Sequence, residues 1–183
     1  MKNNLVRRYA KADAMDRIDL IYNNFASFLG VVESRTEGLV YLIENEKATN
    51  RRHENGDLGV RVQKSTISDP TGNMATGNVM TRDALIACDF SGGVLDGTDR
   101  REAFIREALI LKDMRRDYKL FNDQLSSLEE KERELVLSYI ERKKTMSELA
   151  EDLCIDYSSV KKKLYRSKKK VMYLMADYME GRL

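Results

Sequence analysis

The chain has 183 residues, 42% of them hydrophobic and 34% charged, with a formal net charge of +2. That length holds one ordinary domain or two small ones, and the near-neutral balance excludes a chain that binds nucleic acid by bulk charge alone, so the placement of charge decides. One proline and no tryptophan favour long helices. The two cysteines, Cys88 and Cys154, belong to no CxxC or Cys/His cluster, so neither a disulfide framework nor a zinc site is expected. The charged N-terminal stretch lacks the apolar core of a signal peptide, and no apolar run is long enough to span a bilayer. The expectation is a cytoplasmic protein with no membrane partner.

In chain order, residues 3 to about 48 read as helix. Leu5, Val6, Tyr9, Ile18, Ile21, Phe25, Phe28, Leu29 and Val32 recur at three- and four-residue steps, and Leu39, Leu42 and Ile43 extend the stripe. Gly30 and Gly38 are unfavourable inside a helix, so a break or kink between them is expected, leaving one helix or two. Residues 45 to 68 lose the period. Asn55-Gly56 is a turn signal, Val60 and Val62 permit a short extended piece, and the sole histidine, His53, has no partner ligand nearby in sequence. Residues 51–68 are the expected linker.

Ser68-Asp69-Pro70 is a helix start, with Asp69 as N-cap and Pro70 in the first turn. That helix is expected to run through Met74, Val79, Leu85 and Ile86 to about Phe90, weakened by Gly72 and Gly77. Ser91-Gly92-Gly93 then breaks the chain without any phosphate-loop pattern around it. Thr98 or Asp99 can cap a further helix over about 100–121, with Ala103, Phe104, Leu111, Met114, Tyr118 and Phe121 on its apolar stripe, Glu107 among them.

Three helices follow closely. Ser127 with Glu130, and Thr145 with Glu148, have capping-box spacing. The first opens a helix with Leu128, Leu135, Val136, Tyr139 and Ile140, closed by Arg142-Lys143-Lys144 at its negative end. The second opens a short helix with Met146, Leu149, Ala150 and Leu153 inward. A turn at Cys154-Ile155-Asp156 leads into a third helix from Tyr157 to about Met179, with Asp156 as N-cap. This is the layout of a helix-turn-helix.

Charge is concentrated on that third helix. From Tyr157 to Ala176 there are seven basic residues and no acidic one, whereas Leu125 to Asp156 carries nine acidic and five basic residues. With Val160, Leu164, Ser167 and Val171 inward, a step of about 100° per residue turns Ser158, Lys162, Tyr165, Arg166 and Lys169 outward, with Ser159 and Lys161 beside them. A lysine-rich face alone is often only a solvated face, and trihelical units also occur in protein-binding modules. The two-helix spacing, the small Ala150, the turn and the charge contrast together favour double-stranded DNA. The candidate DNA-binding set is Tyr157, Ser158, Ser159, Lys161, Lys162, Lys163, Tyr165, Arg166, Lys168, Lys169 and Lys170. Lys162 and Arg166 suit guanine edges, Lys163, Lys168 and Lys170 suit phosphates, and Ser158 can give its hydroxyl or backbone N–H to a phosphate.

The segment LSSLEEKERELVLSYIERKKTMSELAEDLCIDYSSVKKKLYRSKKKV resembles region four of bacterial sigma factors. Cys154 stands where that module ordinarily has glycine, and Asp156 where serine is frequent. The tryptophan-rich block with which sigma factors melt promoter DNA is missing. The layout of the whole chain, with Ser68-Asp69-Pro70-Thr71 before the second helical part, is similar to phage late-gene activators of the RinA and ArpU type. The resemblance implies a regulator of prophage late operons in a bacterial host, with Ser158, Ser159, Lys161, Lys162 and Arg166 meeting DNA. A phage assembly protein of the small-terminase type is the runner-up. No catalytic carboxylate pair, Ser/His/Asp set or metal cluster emerges, so no enzyme, cofactor or metal is expected.

The expected architecture is all-α, a helical N-terminal part followed by a sigma-region-four-like helix-turn-helix. It divides into an N-terminal helical segment (1–50), the linker (51–68), a helical pair (69–122) and a DNA-binding domain (123–183). RNA polymerase and a second copy of the chain are candidate partners besides DNA.

Overall fold

The computed structural model describes residues 5–54 and 70–181. These residues are all-α: seven helices and no strand. They are α1 (Leu5–Lys11), α2 (Ala14–Glu54), α3 (Pro70–Ala87), α4 (Arg101–Ser126), α5 (Glu130–Ile140), α6 (Met146–Asp152) and α7 (Tyr157–Met179). The expected Ser68-Asp69 cap, Val60 and Val62, and most of the 51–68 linker lie outside the described residues.

The helical break falls at Ala12-Asp13, not between Gly30 and Gly38. The Asp13 carboxylate accepts the Asp16 backbone N–H at 2.8 Å and so starts α2. α2 then continues through both glycines, where an added Cβ would meet nothing within 4 Å. Two glycines cost roughly 1 kcal/mol each in a helix, less than the burial of the long stripe they interrupt contributes.

Compactness divides the chain otherwise than sequence order suggests. One unit joins the residues up to Val31 with those from Met114 onward, and the other comprises Val32–Asp113. The expected boundaries at residues 50 and 122 fall instead inside α2 and α4: Phe121 and Leu125 continue the α4 core across 122, and α2 runs on past buried Ile43 to Glu54.

In the first unit, α1, the start of α2, the end of α4 and α5–α7 share one core. Ile18, Ile21, Phe28, Met114 and Phe121 are fully buried. Tyr118 stacks on Phe25 and Phe28 at centroid distances of 5.0 and 5.7 Å, and Phe121 meets Phe25 and Tyr22 at 5.7 and 6.4 Å. Asp117, to which the sequence reading gave no role, is also fully buried here. It accepts a hydrogen bond from the Tyr9 hydroxyl, and the Arg116 guanidinium donates to it at 3.1 Å. A buried carboxylate is tolerable only with such partners.

In the second unit, Val32, Leu39, Ile43, Leu85, Leu95, Phe104 and Leu111 form the core. α3 ends at Ala87, before the expected Phe90, and turns Val79 and Ile86 outward with Leu85 inward, so its expected apolar stripe is only partly buried. Ala103, expected on the α4 stripe, is exposed as well. The backbone N–H groups of Asp99 and Arg100 donate to the Glu46 carboxylate at 2.7 and 3.0 Å, and the Arg100 guanidinium pairs with it at 2.6 Å. Glu46 thereby does the work expected of a Thr98 or Asp99 cap. The Thr98 hydroxyl donates to the Leu95 carbonyl instead.

Around α5 one capping box forms and one does not. The Ser127 hydroxyl donates to the Gln124 carbonyl, closing α4, and Glu129 stands at the start of α5 with no side-chain cap. At α6 both halves of the box are present: Thr145 accepts the Glu148 backbone N–H, and the Glu148 carboxylate accepts the Thr145 N–H at 2.7 Å.

Candidate nucleic-acid interface

α7 packs on α5 and α6, and the turn between α6 and α7 sets its entry. The Ile155 N–H returns to the Ala150 carbonyl at 3.0 Å, and Cys154 adopts φ 50°. That left-handed backbone costs an L-residue about 1–2 kcal/mol, which glycine escapes. Cys154→Gly is therefore expected to raise stability by about 0.5–1 kcal/mol, after allowing for the larger chain entropy that glycine loses on folding. Thermal denaturation checks this; a lowered melting temperature would show that the Cys154 side chain, not its backbone, matters here. Leu153, expected to face inward, is 47% exposed just before this turn, because α6 ends at Asp152.

Asp156 starts α7 as expected. Its carboxylate accepts the Ser159 N–H at 3.0 Å and the hydroxyls of Ser158 and Ser159 at 2.9 and 2.7 Å. The Ser159 and Ser158 hydrogen bonds hold its pKa below the ordinary aspartate value. Of the two donors expected of Ser158, the hydroxyl is thus already given to Asp156, and the backbone N–H in the first turn of α7 is the one left to meet a phosphate. Ser159 is half-buried beside it.

The roll of α7 follows the hydrophobic period. Val160, Leu164, Ser167 and Val171 are 2% exposed or less. Tyr157, Ser158, Lys161, Lys162, Lys163, Tyr165, Arg166, Lys169 and Lys170 are exposed. Among the described residues Lys161, Lys162, Lys163 and Arg166 have no acidic side chain within ion-pair distance.

The lysine run 168–170 divides three ways. Lys168 is turned back into the protein, pairing with Asp19 at 2.7 Å and lying 4.7 Å above the Tyr22 ring. Lys170 pairs with Glu132 of α5 at 2.9 Å. Lys169 points outward between Tyr165 and Tyr173, 5.3 and 5.6 Å from their ring centres, and hydrogen bonds with both rings' hydroxyls raise its pKa. The expected phosphate role of Lys168 is corrected here: a half-buried ammonium on a carboxylate is a tether of α7 to α2. Lys170 is similarly engaged with α5.

Tyr173 is a residue that the sequence reading missed. It lies one turn beyond Lys169 on the outward face, so the tyrosine-cation pattern of Tyr165 and Lys169 continues past the point where the basic run ends. The four-residue spacing from 165 to 169 to 173 was the available signal.

His53 is exposed, and no group of three or more His, Cys, Asp or Glu among the described residues could hold a metal ion. No helix of the described residues is long and apolar enough to cross a membrane. No protein-family model matches this chain, and neither does any curated protein or solved structure.

Proposed function

We propose that this protein binds double-stranded DNA through the outward face of α7 and acts as a transcription regulator. The observation that carries the reading is the set of four basic side chains, Lys161, Lys162, Lys163 and Arg166, exposed together with no ion-pair partner among the described residues, on a helix whose opposite face is buried. Free cations on one rigid face suit a polyanion, because each phosphate neutralised releases counterions. A short helix, a tight turn and a second helix of this length suit the major groove. Lys162 and Arg166, one turn apart, are placed to reach base edges, while Lys161 and Lys163 on either side suit the strands that border the groove.

The resemblance of residues 125–171 to sigma region four, and of the chain's layout to phage late-gene activators, extends the reading to regulation of prophage operons in the cytoplasm of a bacterial host. RNA polymerase and a second copy of the chain are the further partners it suggests.

Salt dependence tests the electrostatic part. Replacing Lys161 and Lys163 with alanine is expected to flatten the slope of log affinity against log salt by about two units, whereas Lys168→Ala leaves it nearly unchanged. Fluorescence anisotropy of a labelled duplex over a salt series measures it. An unchanged slope in the first variant would remove both lysines from the interface.

A further inference from the structure

Next to the start of α7 lies an open cleft of about 700 Å³, within the size range of small-molecule sites. Tyr22 and Asn23 of α2 line one part, Tyr139 of α5 and the Arg142-Lys143-Lys144 turn another, and Tyr157 closes it at α7. All belong to the first unit.

Tyr22 is the informative side chain. It is 8% exposed, its ring is packed edge-on against Phe121 and under the Lys168 ammonium, and its hydroxyl finds no hydrogen-bond partner among the described residues. Its ring is enclosed while its hydroxyl opens on the cleft, where a ligand can pair with it. Burial, with Tyr139 and Asp19 nearby, pushes its pKa up, so the phenol stays protonated and is a hydrogen-bond donor. The basic turn supplies a second unmatched donor. Lys143 and Lys144 pair with Glu141 and Asp152, each at 2.6 Å. Arg142 has no such partner among the described residues, and it is held at φ 57°, a left-handed backbone that arginine rarely adopts.

The cleft therefore offers the Tyr22 O–H, the Arg142 guanidinium and the Asn23 amide beside the Tyr139 and Tyr157 rings, with the Glu148 carboxylate on the α6 side already taken by the Thr145 N–H and hydroxyl. Donors of this kind fit a phosphate, and flat rings fit a nucleobase. We propose that the cleft binds a free mononucleotide, with the phosphate held by Arg142 and the Tyr22 hydroxyl and the base laid against the tyrosine rings. Because Tyr157 belongs both to the cleft and to the outward end of α7, occupancy is felt at the candidate DNA face. The nucleotide site itself does not depend on the DNA-binding reading.

Calorimetric titration of the full chain with AMP, GMP, ATP and GTP tests it. One saturable site is expected for at least one of them. Arg142→Gly removes the guanidinium yet suits the left-handed backbone, and it is expected to weaken binding about tenfold or more. Tyr22→Phe removes only the hydroxyl and is expected to cost roughly fivefold. The Lys162→Ala/Arg166→Ala chain is expected to bind the nucleotide as the parent does, which separates this site from the α7 face. Absence of saturable binding for all four probes would overturn the proposal, as would affinities unchanged in both variants. Loss of duplex affinity in Arg142→Gly without any free-nucleotide binding would also overturn it, by assigning the cleft to a phosphate of the DNA strand.

Discussion

A Lys162→Ala/Arg166→Ala chain is expected to lose at least about 30-fold in affinity for its specific duplex, with its melting temperature unchanged. Each side chain placed against a base edge contributes roughly 1–3 kcal/mol, so the pair supplies about 2 kcal/mol or more, and 1.4 kcal/mol is tenfold. Both side chains are exposed and neither is ion-paired among the described residues, so their removal takes nothing from the fold. Anisotropy with the duplex gives the affinity and circular dichroism the melting point. An affinity within threefold of the parent would move recognition off this face. A lower melting point would mean that the lysine and arginine stems pack on the helix more than their exposure implies.

Phe121→Ala is expected to cost about 3–5 kcal/mol, the usual cost of emptying a fully buried phenylalanine site. Phe121 is fully buried and meets both Phe25 and Tyr22 of α2. Tyr22 in turn lies under Lys168 of α7. The cavity therefore opens between the N-terminal helices and the helices that carry the basic face. Against an ordinary stability of about 5–15 kcal/mol the loss is large, a fall in melting temperature of roughly 10 °C. Duplex affinity is expected to fall with it wherever the unfolded fraction becomes appreciable, and to recover at lower temperature. A substitution tolerated with less than about 1 kcal/mol lost would show that the first unit does not depend on this contact. Because that unit joins residues from both ends of the chain, the C-terminal helices are not an independent module attached to a spacer.

What could be read from the residue order alone was mainly local. The inward stripe of α7 at Val160, Leu164, Ser167 and Val171 follows from the 3.6-residue period, and the Thr145-Glu148 box and the Asp156 cap follow from short side chains that reach backbone groups within one turn. The unusual backbone at Cys154 was foreshadowed by the glycine that the resembling family places there. Features that depend on partners far apart in sequence were not legible. Nothing in the run Lys168-Lys169-Lys170 tells that the first meets Asp19 and the third Glu132, whereas the two tyrosines beside Lys169 lie one turn away on either side.

Local competition explains the other differences. Ser127 had the right spacing for a capping box, but its hydroxyl was claimed by the Gln124 carbonyl as α4 ran on to Ser126. Gly30 and Gly38 looked like breaks, but a helix with Phe28, Val32, Leu39 and Ile43 buried on one side outweighs them, and the chain bends where Asp13 can cap instead. Asp117 was hidden within a charged stretch of α4, where no period distinguishes a buried carboxylate from an exposed one.

The central claim is that the outward face of α7 reads DNA. Genome-wide footprinting of the tagged protein in a bacterial host that carries its operators tests this most directly, with the Lys162→Ala/Arg166→Ala chain as its pair. Discrete sites that share a sequence and vanish in the variant are predicted. Diffuse occupancy by the parent chain, or the same discrete sites fully occupied by the variant, would contradict it.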